Sequence, residues 1–225
     1  MRILFVDTTH PSLPELLTEA GFEVHEARCR TKEECIRIVE PYEGIIIRSK
    51  FLIDEEFLKK AVNLKFIGRV GAGMENIDVD AAEQRGIKCF NSPEGNRNAV
   101  GEHALGMLLA LQNNLFRAND EVSRGIWRRE SNRGIELFGK TIGLIGFGNT
   151  GSAFAKKLVG MEMRILAYDK YKTDYAPDYV METDLEQIFE ESDVVSFHVP
   201  LTSETHNMGR EDFFKSFQKP VVVIN

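Results

Sequence analysis

Cysteine is scarce. Cys29, Cys35 and Cys89 are the three in 225 residues, an odd number with no C-x-x-C pair, so neither a disulfide framework nor a zinc site is expected, and a reducing cytoplasm suits the chain. Positive charge is in deficit: 28 Lys and Arg stand against 35 Asp and Glu, a net charge of −7. That balance removes the basic face by which a protein holds a nucleic-acid backbone. Long apolar runs are missing too, and none approaches the ~20 residues of a membrane-crossing helix. The opening Met1-Arg-Ile-Leu-Phe-Val-Asp7 is too short for a secretion signal and reads as a first strand. With 43% apolar and 28% charged residues, the chain is soluble, globular and long enough for two α/β domains with separate cores.

Short apolar runs alternate with amphipathic stretches. Strands are expected at residues 3–6, 22–25, 44–47, 66–70 and 87–90, with helices near 13–20, 32–39, 54–61 and 79–84. This rhythm implies an open, doubly wound parallel sheet with ligands gathered at the carboxyl ends of its strands. Two strand ends carry suitable groups. Arg48 offers a guanidinium fork and Ser49 a hydroxyl for a carboxylate or phosphate, although an arginine there equally pairs with a nearby glutamate. Gly71-Ala72-Gly73 either turns backbone N–H groups onto a small anion or makes a plain turn. Pro93 and Gly95 punctuate the stretch 91–98 as a domain junction. The apolar segment 99–113 then reads as an inter-domain or dimer helix, or as a deeply buried one. A linker rich in Arg and Gly, 124–134, surrounds the lone Trp127, an interface anchor or a core residue.

The most informative stretch is Thr141-Ile-Gly-Leu-Ile-Gly-Phe-Gly-Asn-Thr-Gly151. Its β-branched start reads as a strand covered on both faces, and residues 152–158 change to helical spacing. Gly146, Gly148 and Gly151 fill the G-x-G-x-x-G pattern of a phosphate cradle, with the N–H groups of Asn149 and Thr150 at the helix start. Roughly twenty residues on, a second strand over 163–168 ends in Asp169, where a carboxylate takes the adenosine ribose hydroxyls of NAD. Asp169 disfavours a 2′-phosphate, while Lys170 and Lys172 soften that repulsion, so NADP stays open at this point. Beyond it come a helix over 183–193, capped by Thr183 or Asp184, a buried strand over 194–199 running into His198-Val-Pro-Leu-Thr202, and a last strand over 219–225. That strand has no helix after it, and the chain reads as a fragment.

In this order, Arg48-Ser49, Gly71-Ala-Gly-Met-Glu-Asn-Ile-Asp78, Gly146 to Gly151, Asp169 and His198-Val-Pro-Leu-Thr202 make a chain that resembles the D-isomer-specific 2-hydroxyacid dehydrogenases over essentially its whole length. Ile46 to Ser49 and the stretch from Asn91 to Ala104 bring it nearest to the branch acting on 3-phosphoglycerate. The resemblance implies two α/β domains with open parallel sheets: the first part of a flavodoxin-like substrate domain (1–97), then a Rossmann NAD-binding domain (98–225) incomplete on its C-terminal side. It implies that Arg48, Ser49, Gly71, Ala72 and Gly73 serve a small 2-hydroxy acid. Val100, Gly146, Gly148, Asn149, Thr150, Gly151, Asp169, His198, Val199, Pro200 and Thr205 would serve NAD. His198 falls on the cofactor side and is not the catalytic base. Leu144 and Thr150 depart from the β-branched and aliphatic residues usual in the family, and neither blocks a cradle. The family's catalytic Arg, Glu and His would follow Asn225, so no catalytic residue and no metal site is expected in this chain, and no dehydrogenase turnover. A homodimer of the full-length protein is implied as well, and a glyoxylate or hydroxypyruvate reductase, or a non-catalytic NAD-sensing interaction protein of the same fold, are the alternatives.

Overall fold

The computed structural model describes residues 1–27, 29 and 31–225. Contacts divide them into two compact units, Met1–Asn96 and Arg97–Asn225.

In the first unit, strands β1 (Arg2–Phe5), β2 (Glu23–Glu26), β3 (Gly44–Ile47), β4 (Phe66–Arg69) and β5 (Lys88–Phe90) pair in parallel in the order β2-β1-β3-β4-β5. This is the flavodoxin-like order. Helices α1 (Ser12–Glu19), α2 (Lys32–Ile36), α3 (Glu55–Lys60) and α4 (Val79–Glu83) connect them. The Gly-Ile-Ile-Ile of β3 is buried at every position, as a strand with both faces covered must be. One face carries Leu4, Ile45, Ile47, Phe57 and Ile67; the other carries Ile3, Phe5 and Ile46 against Leu13 and Leu17 of α1. Asp54 starts α3 by accepting the Phe57 N–H at 3.1 Å, a cap contributing ~1 kcal/mol.

Cys29 and Cys35 form a disulfide, which corrects the expectation of none. Cys29 follows β2 and Cys35 lies on α2, with their Cα atoms 5.7 Å apart, inside bridging range. Linear spacing does not reveal that proximity.

In the second unit, β6 (Thr141–Ile145), β7 (Arg164–Tyr168), β8 (Met181–Glu182), β9 (Val194–Phe197) and β10 (Val222–Ile224) form a parallel sheet ordered β10-β9-β6-β7-β8. Counted from β6, this is the 3-2-1-4-5 order of a Rossmann sheet. Helices α5 (Pro93–Gln112, its first turn counted with the first unit), α6 (Leu115–Ser123), α7 (Asn149–Leu158), α8 (Leu185–Glu191) and α9 (Glu211–Lys215), with one 3-10 turn over Val159–Met161, complete the described helices. α5 begins earlier than the apolar pattern indicates, because proline suits the first helical position. α6 was not foreseen. Asn114, in the left-handed region at φ 53°, separates it from α5; the helix is amphipathic, but none of its residues is buried, so its apolar stripe faces outward. Trp127 is 80% exposed, which rules out its reading as a core residue. Two apolar layers sandwich the sheet, one with Ala104, Leu108, Phe154 and Leu158 from α5 and α7, the other with Ile188 and Phe213 from α8 and α9. Among the described residues, no helix is long and apolar enough to cross a membrane.

Candidate functional site

In the second sheet, β6 lies between β7 and β9, so successive connections leave it in opposite directions and open a crevice beyond its carboxyl end. The glycine turn sits there. Gly146 has φ +91°, and a Cβ on it would lie 2.5 Å from the His198 carbonyl oxygen. A Cβ on Gly151 would lie 2.2 Å from the Gly146 carbonyl oxygen, so only glycine lets α7 start this close to the strand. Gly148 differs, since a Cβ there would meet nothing within 4 Å: the backbone is open to an approaching group. Gly148 is also the N-cap of α7, with no side-chain cap bond and no acidic residue in the first turn. A ten-residue helix so begun presents the first-turn N–H groups of Asn149, Thr150 and Gly151 to an anion. These residues fit a dinucleotide pyrophosphate.

A cavity of about 510 Å³ adjoins the turn. Gly146, Gly148, Asp169, His198, Val199, Pro200 and Thr205 line it, together with Tyr168, Lys170, Tyr171, Lys172 and Glu204, among others. Asn149, Thr150 and Gly151 are in the adjoining first turn of α7. Val100 sits on α5 and does not line the cavity; its neighbour Gly101 packs on α7, where a Cβ would lie 3.0 Å from Ala153 backbone atoms.

Backbone amides orient Asp169. Its Oδ2 accepts the Phe147 N–H at 3.0 Å and its Oδ1 the Tyr171 N–H at 3.1 Å. Each oxygen keeps a lone pair for further donors. The Thr205 hydroxyl donates to the Pro200 carbonyl at 2.6 Å and accepts the Thr202 N–H at 2.8 Å, which fixes the shape of the loop after β9. His198 Nε2 lies 3.0 Å from the hydroxyl of buried Ser196, and its ring packs on Phe154 at 5.6 Å. Burial pushes its pKa down to about 4. A ring with that pKa is neutral at pH 7 and a weak base, consistent with a place beside a cofactor.

The first unit has its own crevice where β1 separates β2 from β3. Asp7, just past β1, spans it: one oxygen accepts the N–H groups of Arg48, Ser49 and Lys50 at 2.7, 2.9 and 3.1 Å. The Arg48 side chain is exposed and makes no ion pair among the described residues, so the alternative of a neighbouring glutamate partner is not realised. The turn Gly71-Ala72-Gly73 departs from an open nest. The Gly71 N–H donates to the Arg69 carbonyl at 3.0 Å, which takes one N–H out of any anion site. The Asn91 amide donates to the Ala72 carbonyl at 2.6 Å. Above the turn folds Arg69, its side chain 14% exposed, paired with Glu75 at 3.2 Å. Its buried Nε has no hydrogen-bond partner among the described residues. Asp7 and Arg69 are groups that sequence reasoning passed over. The one available signal was a charge at or just past the end of a strand.

Known proteins agree with this geometry. D-3-phosphoglycerate dehydrogenase of Archaeoglobus fulgidus is 37% identical over 227 residues, covering all of this chain and 43% of that protein. Hydroxypyruvate reductase of Thermotoga maritima is 37% identical over 196 residues, covering 86% of this chain and 63% of that protein. The chain therefore spans less than two thirds of either relative. The apo structure of Escherichia coli D-lactate dehydrogenase superposes with a TM-score of 0.78 at 30% identity, covering 99% of this chain and 72% of that one. The family model for the NAD-binding domain of D-isomer-specific 2-hydroxyacid dehydrogenases matches residues 105–225, more than half the sequence, and the chain belongs to that family.

Proposed function

We propose that the intact protein is an NAD-dependent oxidoreductase that interconverts a small D-2-hydroxy acid and its 2-oxo acid, with 3-phosphoglycerate as the first substrate to test. The observation that carries this reading is the glycine turn at the β6/β9 crevice, with Asp169 on the same cavity. Bound NAD supplies the hydride acceptor. Gly148 and the first turn of α7 would hold the pyrophosphate, and Asp169, oriented by two amides, would accept the ribose hydroxyls. His198, kept neutral by burial, would line the site without adding charge.

The first unit, in this proposal, binds the acid. Arg48 supplies an exposed guanidinium with no ion pair among the described residues, and Ser49 a hydroxyl beside it; Arg69, over the Gly71 turn, is already paired with Glu75. 3-Phosphoglycerate is placed first on the strength of the Archaeoglobus relative. The reading assigns no proton-transfer residue to this chain, so the 225-residue polypeptide is expected to bind NADH without turnover. Hydroxypyruvate is the second substrate to test, on the strength of the Thermotoga relative.

The exposed apolar side chains Leu111, Leu115, Phe116, Val122 and Trp127 support a homodimer through α5, α6 and the segment after them. Light scattering on the intact protein tests this, and a monomer at micromolar concentration removes it. For the cofactor, fluorescence titration of the chain with NADH is the test. A chain that binds no dinucleotide at millimolar concentration sinks the function; one that binds NADH but, in the intact protein, turns over no 2-hydroxy or 2-oxo acid leaves a cofactor-sensing role instead.

A further inference from the structure

Two lysines beside Asp169 leave the choice between NAD and NADP open in the sequence, but in the folded unit neither is free. Lys172 donates to the Phe147 carbonyl at 2.8 Å and stands 4.0 Å from Asp169 Oδ2. Lys170 pairs with Glu204, which comes from the loop after β9, and its ammonium lies 5.7 Å from the Tyr171 ring centroid. The Tyr171 hydroxyl donates to the other Glu204 oxygen. Asp169, Lys170, Tyr171, Lys172 and Glu204 line the same cavity, and their two carboxylates balance the two ammonium groups.

We propose that Glu204 determines cofactor choice, by holding the Lys170 ammonium away from a 2′-phosphate and adding a second carboxylate to the wall that Asp169 begins. The inference rests on the dinucleotide reading of this cavity. A phosphomonoester carries about −1.5 to −2 charges at pH 7, so it senses the net charge of that wall, whereas the two ribose hydroxyls of NAD do not. The Lys170–Glu204 pair is half exposed, with side chains 56% and 44% accessible, and such pairs contribute little to folding. Its effect falls on the charge of the ligand. Glu204 lies outside the glycine motif and the strand-end acid by which such sites are ordinarily read. It is 34 residues from Lys170, so only the folded chain brings the two together.

The test is isothermal titration of the 225-residue chain with NADH and NADPH, for wild type, Glu204→Gln and the double variant Glu204→Gln/Lys170→Met. Glutamine keeps the length and an acceptor for the Tyr171 hydroxyl while removing the charge. Wild type should prefer NADH. In Glu204→Gln the ratio of the NADPH to the NADH dissociation constant should fall roughly five- to tenfold, less so at high salt. The added Lys170→Met should abolish most of that gain. A ratio that moves less than about twofold in Glu204→Gln overturns the proposal, as does a double variant that keeps the whole gain. A wild-type chain that binds neither dinucleotide removes the cofactor reading and this inference with it.

Discussion

Acid should destabilise the second unit through His198, by an amount that can be worked from the structure. Burial lowers its pKa from 6.5 to about 4, while the unfolded chain titrates near the ordinary value. Between those two values the unfolded state holds more protons than the native state, so stability falls as the pH drops through that window and is fully present above it. At pH 4.5 the difference amounts to about 2–3 kcal/mol, since one pKa unit is worth about 1.4 kcal/mol. The comparison to make is urea unfolding of wild type and His198→Gln at pH 7.5 and pH 4.5. Glutamine reaches the Ser196 hydroxyl but takes up no proton. Both proteins lose whatever their carboxylates contribute at low pH; the wild type should lose the additional 2–3 kcal/mol. Equal losses in the two would refute the argument that burial keeps this ring neutral.

Gly151→Ala should destabilise the chain by about 1–3 kcal/mol and abolish NADH binding, because its Cβ would sit 2.2 Å from a backbone carbonyl oxygen; thermal melting and titration check the two effects. Denatured without reductant, the chain should show one reactive thiol, Cys89, and after reduction three; three from the outset would deny the Cys29–Cys35 bond. Opening that short loop should cost about 2 kcal/mol on the chain-entropy account. Asp7→Ala leaves three amides without their acceptor and should cost about 2 kcal/mol, with faster hydrogen exchange at Arg48, Ser49 and Lys50 as its signature.

The cradle was legible because its determinants are local. A buried β-branched run, a turn that tolerates only glycine and a helix start all fall within the eleven residues 141–151, and steric rules decide each. Asp169 was legible by its distance from that turn. The unread features depend on contacts made across the chain. Asp7 meets the Arg48 amide across 41 residues, and the Lys170–Glu204 pair joins the segments that follow β7 and β9, on either side of β6, which meet only when the sheet is ordered. α6 is different: its apolar side chains keep a helical spacing although they face outward, so the pattern was present in the sequence and was not read. The Gly71 turn was half legible. Its flexibility was evident, but the hydrogen bond from its N–H to Arg69 belongs to a particular backbone path that composition does not specify.

The carboxylate of Asp7 has a consequence for affinity as well as for folding. A loop carrying an arginine at a strand end would ordinarily sample many shapes and lose that freedom on meeting its ligand, at ~0.5–1.5 kcal/mol for each immobilised side chain and more for the backbone. Here three successive amides already converge on one internal oxygen. The backbone ordering cost falls on folding, so in the proposed substrate site an acid arriving at Arg48 would meet a frame already set, with only the guanidinium left to aim.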